Sequence, residues 1–117
     1  LESSEDYLEA ILVLSKELSY VRSIDVANKL GFSKPSVSIA MKKLIDKELI
    51  IIDSKGYISL LPKGKEIASN IYERHCILYE ALKKAGVPDN LAYEDACKIE
   101  HDLSDETFEC IKRLVRK

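Results

Sequence analysis

The stretch SIDVANKLGFSKPSVSIAMKKL, Ser23 to Leu44, decides the fold. Ile24, Val26, Ala27 and Leu30 fall at helical spacing behind a Ser23 cap, and Gly31 ends that short helix in the left-handed manner glycine permits. Only Phe32, Ser33 and Lys34 intervene before Pro35, a residue tolerated in a helix's first turn. Val37, Met41, Leu44 and, just past the stretch, Ile45 then make the next apolar stripe. Two short helices joined by a tight glycine-containing turn are the signature of a helix-turn-helix. The second helix turns Ser36, Ser38, Ile39, Lys42 and Lys43 outward. Short hydrogen-bonding groups near its start and lysines a turn later suit base edges first and phosphates after.

Working outward, Ser4 with Glu5 and Asp6 starts a preceding helix whose apolar face is Tyr7, Leu8, Ile11, Leu12 and Leu14, running to about Leu18. Downstream, Leu49–Ile52 and Tyr57–Leu61 read as strands around the turn Asp53-Ser54-Lys55-Gly56. A hairpin directly after the second helix makes the motif winged, with Lys55 at the wing tip. An isolated hairpin is marginal in water, so the wing must pack on the helices. Pro62 opens a long helix closed by Gly86-Val87-Pro88. Asn90 caps the next helix, and Ser104 caps a last one through Phe108, Ile111, Leu114 and Val115. The expected fold class is mainly α: a winged helix-turn-helix of three helices plus a β-hairpin at residues 1–61, then an all-helical region at 62–117.

Composition fits an ordinary globular protein: 117 residues, 46% hydrophobic and 32% charged, enough for one compact domain or two small lobes. The core is modest at this size, so part of the apolar surface is expected between subunits. The sequence holds no run of 18 apolar residues and no basic, apolar leader, which predicts no membrane partner and a cytoplasmic location. Three cysteines, Cys76, Cys97 and Cys110, at irregular spacing argue for reduced thiols, with Cys76 and Cys110 as small core fillers. The net charge of −2 hides an uneven distribution. Residues 34–65 carry seven basic and three acidic groups, between acidic flanks. A local basic patch is what phosphate binding requires, whatever the global sum, although lysines on solvated faces explain the charge equally well alone.

The segment Ala96-Cys97-Lys98-Ile99-Glu100-His101 brings a thiol, a carboxylate and an imidazole onto one helical face. Such donors can hold a divalent cation. The alternative is a lysine-paired Glu100, a packed His101 and a core Cys97. Asp6 and Glu9 share a face of the first helix, and His75 falls within the apolar stripe of the long helix. Taken singly, each also reads as a packed or dipole-favouring residue.

Several motifs nonetheless carry a resemblance over nearly the whole chain: SEDYLEAI (Ser4 to Ile11), SKPSVSIAMKKL (Ser33 to Leu44), LPKGKEIA (Leu61 to Ala68), YERHCIL (Tyr72 to Leu78) and DACKIEHDLS (Asp95 to Ser104). In matching order they resemble the diphtheria toxin repressor and manganese transport regulator family of metal-activated bacterial repressors. The resemblance implies a metal-activated, sequence-specific DNA-binding repressor of metal homeostasis, not an enzyme. It implies a homodimer on a palindromic double-stranded operator, with Mn²⁺ or Fe²⁺ as cofactor and Zn²⁺ or Co²⁺ as substitutes in vitro. By position, Asp6, Glu9, His75, Cys97, Glu100 and His101 are the implied metal ligands. Arg22, Ser23, Lys34, Pro35, Ser36, Ser38, Lys42, Lys43 and Lys55 are the residues expected on DNA.

The chain departs from both branches of that family. Asp6 follows the manganese branch where the iron branch usually has Met, whereas Cys97 follows the iron branch where the manganese branch has Glu. Oxygen donors suit manganese and a thiolate favours iron, cobalt or zinc, so the site reads as a hybrid. Tyr79 stands where an acid is common four residues after the family's histidine. The length resembles the short form without an SH3-like domain. Two rivals remain: a winged-helix regulator whose DNA binding is metal-independent or answers a small organic ligand, and a metal-dependent hydrolase, for which no nucleophile and base pair is visible.

Overall fold

A computed structural model describes the backbone of residues 2–117 and the side chains from Ser4 onward. Its elements are α1 (Glu2–Glu17), α2 (Ser23–Leu30), α3 (Lys34–Asp46), β1 (Ile50–Ile52), β2 (Ile58–Leu60), α4 (Pro62–Lys84), α5 (Asp89–Ile99) and α6 (Asp105–Val115). The chain divides into two compact units, the first ending at Ser69 and the second spanning Asn70–Lys117.

In the first unit α1, α2 and α3 bury Leu8, Ile11, Val26, Val37, Met41 and Leu44, the apolar stripes of the sequence. Gly31 closes α2 at φ 71°, the left-handed region that disfavours a Cβ. The side chain of Ser33 caps α3 by accepting from the Ser36 N–H, and Pro35 sits in the first turn. β1 and β2 pair antiparallel, Ile50 with Leu60, Ile51 with Ser59 and Ile52 with Ile58, and so form the wing. Its turn is held by Asp53, whose Oδ1 accepts from the Lys55 and Tyr57 N–H groups, both at 2.9 Å. The winged helix-turn-helix is therefore present in full.

Three helix starts differ from expectation. Ser4 lies inside α1, which begins at Glu2. Arg22, not Ser23, is the N-cap of α2: its backbone is extended and its N–H is taken by Asp25 Oδ2 at 2.8 Å. Pro88 precedes α5 with extended backbone, so Asp89 opens that helix and Asn90 is its second residue.

In the second unit Ile77, Phe108 and Val115 form a cluster with Ala81 and Ile111 packed on it. Ser104 caps α6 as expected, its hydroxyl accepting from Thr107 N–H. Leu114 is 73% exposed, and Cys110 is exposed rather than a core filler. Leu114 precedes Val115 on the helix and so points about 100° away from it. Among the described residues no helix is long and apolar enough to cross a membrane.

Gly64, in the first turn of α4, meets the connection between α3 and β1 at very short range. A Cβ there would stand 2.1 Å from the carbonyl oxygen of Leu49, a backbone atom that cannot swing away. Gly64→Ala is therefore expected to destabilise the first unit by about 2–3 kcal/mol, read as a lower urea midpoint at unchanged slope.

Candidate metal centre and nucleic-acid interface

The second unit assembles four of the six implied metal ligands. α4 supplies His75, α5 supplies Cys97, and Glu100 and His101 occupy the turn that ends α5. His75 Nδ1 lies 3.0 Å from Glu100 Oε1 and 3.7 Å from Cys97 Sγ. Glu100 turns its other oxygen, Oε2, toward His101 Nε2 at 3.7 Å. Imidazole nitrogen, thiol sulfur and carboxylate oxygen lie within 4.8 Å of one another. Donors bound to one cation at about 2.0–2.3 Å stand roughly 3–4.5 Å apart, so this spacing fits a shared divalent ion with little adjustment.

Burial separates this group from a surface cluster. The side chains of His75, Glu100 and His101 are 11%, 1% and 4% exposed. A carboxylate so removed from water is costly unless charge or a cation compensates it. Two imidazoles and a thiol around one carboxylate supply donors of mixed softness, a set that accepts manganese, iron or zinc.

The surroundings fix the donors. Tyr93 meets the His75 ring edge-on at 4.8 Å, and Tyr79 lies parallel to it at 6.4 Å. The Tyr79 hydroxyl donates to Asp89, whose carboxyl this bond holds below its ordinary pKa while the Tyr79 phenol is raised. Tyr79, standing where an acid is common in the family, is thereby committed to the start of α5. The largest contribution comes from Arg74, which the sequence reading left out. Its Nη1 donates to the carbonyls of Glu100 at 3.1 Å and Leu103 at 2.6 Å, Nη2 pairs with Asp105, and the guanidinium lies 5.2 Å from the centre of the Phe108 ring. Adjacent to His75 in sequence, Arg74 ties α4 to the turn carrying Glu100 and His101.

Asp6 and Glu9, the other two implied ligands, lie three residues apart on α1 in the first unit, both half-buried. That unit also holds every residue expected on DNA. Lys34, Pro35, Ser36, Ser38, Lys42 and Lys43 are all exposed on α3, as are Arg22 at the start of α2 and Lys55 at the wing turn. Ser23, the first residue of α2, is half-buried. The Ser36 hydroxyl accepts from Ser33 Oγ at 2.9 Å and keeps its own proton to donate. Ile39, 58% exposed in the middle of α3, was seen on the outward face but not counted among the contacts. An apolar group there matches the methyl of thymine.

A winged reading head and a buried soft-and-hard donor set in one chain define a metal-responsive DNA-binding regulator. Comparison with known proteins agrees. Residues 1–58 match the model of the iron dependent repressor N-terminal DNA binding domain, and residues 61–117 that of the iron dependent repressor metal binding and dimerisation domain. The HTH-type transcriptional regulator MntR of Bacillus pumilus is 36% identical over 114 residues, 97% of this chain and 79% of that protein. The transcriptional regulator MntR of Escherichia coli O157:H7 is 33% identical over 116 residues, covering 99% and 75%. Among solved structures, the manganese regulator SloR superposes with a TM-score of 0.85 at 29% identity, and IdeR of T. acidophilum with 0.81 at 26%. Each comparison covers 97% of this chain, which spans about half the length of those two structures. The chain belongs to the iron-dependent repressor family, metal-dependent DNA-binding transcriptional repressors rather than enzymes.

Outer partners that hold metal ligands in place commonly contribute 10- to 100-fold to metal affinity. Arg74→Ala is expected to weaken Mn²⁺ binding by about that factor in isothermal titration, while Arg74→Lys, which keeps one donor, recovers part of it. Equal affinity in all three proteins would confine Arg74 to a packing role.

Proposed function

We propose that the chain is a dimeric repressor of manganese or iron homeostasis whose binding to a palindromic operator is switched on by Mn²⁺ or Fe²⁺. The observation that carries this reading is the buried group of His75, Cys97, Glu100 and His101 in a chain that also holds a complete winged reading head. The printed names of MntR and SloR add weight on the manganese side. Cys97 adds weight on the iron side, since a thiolate favours the softer ion.

In this reading residues 1–61 are the DNA-binding domain and residues 62–117 the dimerisation and metal-binding domain. His75, Cys97, Glu100 and His101 hold the ion, and Asp6 and Glu9 complete its shell from the DNA-binding domain, as the family resemblance implies. A bound cation supplies positive charge and directional coordination that join ligands from the two domains. Glu100 is central, its two oxygens directed at two different imidazoles. Ligands on both domains favour one arrangement of the reading heads over many. Moving a head from mostly free to mostly fixed takes a preference of about 5.5 kcal/mol for the fixed state, which several coordinate bonds can provide. Two recognition helices held near one DNA turn apart, about 34 Å, then meet both halves of a palindrome. Leu91 and Ile99 on α5 and Leu114 on α6, exposed and apolar, are the residues we assign to contact with the second copy. On the operator, Pro35, Ser36, Ser38 and Ile39 approach base edges, while Arg22, Ser23, Lys34, Lys42, Lys43 and Lys55 take phosphates.

The deciding experiment measures affinity for a pool of palindromic duplexes at fixed salt under anaerobic reduction, first with chelator and then with Mn²⁺, Fe²⁺ or Zn²⁺. One metal is expected to tighten binding by about 5- to 150-fold, and Glu100→Ala to lose that gain. Identical binding in every condition would leave the metal-independent regulator. Separately, Lys42→Ala is expected to lower affinity for all sequences and to flatten the plot of log K against log salt by about 0.9, the increment of one phosphate contact.

A further inference from the structure

The segment before α2 runs beside the wing and is joined to it by one backbone hydrogen bond. Ile58 N–H donates to the Val21 carbonyl at 2.7 Å, joining the edge of β2 to residues 20–22. Extended chain alternates its side chains. Val21 and Ile58 accordingly point inward, 3% and 6% exposed, whereas Tyr20 and Arg22 stand on the outer face. Tyr57, next to Ile58, shares that outer face and meets both. Its ring stacks on Tyr20 with centroids 4.3 Å apart and planes at 14°. The Arg22 guanidinium carbon lies 4.9 Å from the same ring centre, and Nη2 donates to the Tyr57 hydroxyl at 3.4 Å.

This arrangement costs side-chain freedom at the surface, where an unneeded arginine would stay mobile. Tyr20 is 63% exposed, so hydrophobic burial contributes little to the assembly. What the stack does achieve is to hold a cation at a fixed place beside the start of α2. The guanidinium has five N–H donors and spends one on Tyr57. The Tyr57 oxygen accepts that bond and leaves its own proton free to donate. Asp25 accepts from the Arg22 backbone N–H, and Asp53 from the N–H groups of Lys55 and Tyr57. A tetrahedral anion meeting this face finds a charged fork and a hydroxyl donor side by side.

We propose that Tyr20, Arg22 and Tyr57 form a built contact surface at the root of the wing for the sugar-phosphate backbone of duplex DNA, with Tyr57 the positioning residue for Arg22. The inference rests on the reading of the chain as a DNA-binding repressor. It adds to that reading a role for two tyrosines that carry no charge. Arg22 alone would be one more surface cation. Held on Tyr57, its ordering entropy is spent before DNA arrives, so the contact forms at lower cost.

The test measures binding of the full chain, with saturating Mn²⁺, to long mixed-sequence duplex DNA across a range of salt concentrations. Arg22→Ala is expected to weaken binding about tenfold near 0.1 M salt and to reduce the salt slope by about 0.9. Tyr57→Ala is expected to reproduce both changes, and the double variant to be within twofold of either single one. Tyr57→Phe, which keeps the ring and loses the hydroxyl, should fall between Tyr57→Ala and the wild type. Far-UV circular dichroism and an unchanged Mn²⁺ titration establish that each variant is folded. Should Tyr57→Ala fail that check, Tyr20→Ala removes the stacking partner instead and is expected to lower the slope in the same direction. An unaltered slope in a folded variant overturns the proposal, even where affinity drops, because the ring then only props the wing. A wild-type chain that ignores duplex DNA would overturn the parent reading, and this inference with it.

Discussion

A carboxylate hidden from water governs the second half of this molecule. Glu100 is 1% exposed, and an ionised group at such depth is tolerated only where its oxygens find donors or a cation. Its two oxygens face His75 and His101, and its own carbonyl is held by Arg74. The rest of the unit can be read as the means of keeping those partners where they are. Tyr93 and Tyr79 border the His75 ring, Asp89 holds Tyr79, and Phe108 lies under the Arg74 guanidinium while packing with Ile77 and Val115. In the proposed role, donors held this closely lower the reorganisation that metal binding demands.

The reading head solves a different problem with neutral means. Its two-stranded wing has too little sheet to stand alone. Ile50 and Ile58 anchor it in the core, and the Val21 carbonyl adds a third line of hydrogen bonding. Close packing of Gly64 against Leu49 O then sets where the long helix leaves the wing. Its surface carries the lysines and serines proposed to meet DNA.

Much of this was legible in the sequence, because helix faces, a tight turn and a hairpin are local patterns. Gly31, Ser33, Pro62 and Ser104 mark element ends where the structure has them. Ser4, Ser23 and Asn90 were misread by the same rule, because a small polar residue just inside a helix looks like one just outside it. Which residue caps depends on the backbone before it, extended at Arg22 and at Pro88. Leu114 sits at helical spacing from Ile111, and only packing reveals that its direction lies off the stripe formed by Phe108, Ile111 and Val115. At the centre, Cys97, Glu100 and His101 announced themselves by proximity, whereas His75 entered through the family resemblance. Arg74 and Tyr57 escaped notice because their partners lie 26 and 35 residues away, at distances no local pattern spans.

The Val21 to Ile58 hydrogen bond also bears on how the wing finds a single alignment. Three-residue strands offer few rungs, and a hairpin of Ile-Ile-Ile against Ile-Ser-Leu could slide by one step at little expense in backbone pairing. Sliding β2 by one residue would send Ile58 to water and drive the Tyr57 ring into the core. A strand clamped on both sides, by β1 and by the residues ahead of α2, has no such freedom. The connection between the first two helices thus doubles as a ratchet stop, and the sequence around Val21 sets the phase of a hairpin that is translated some thirty residues later.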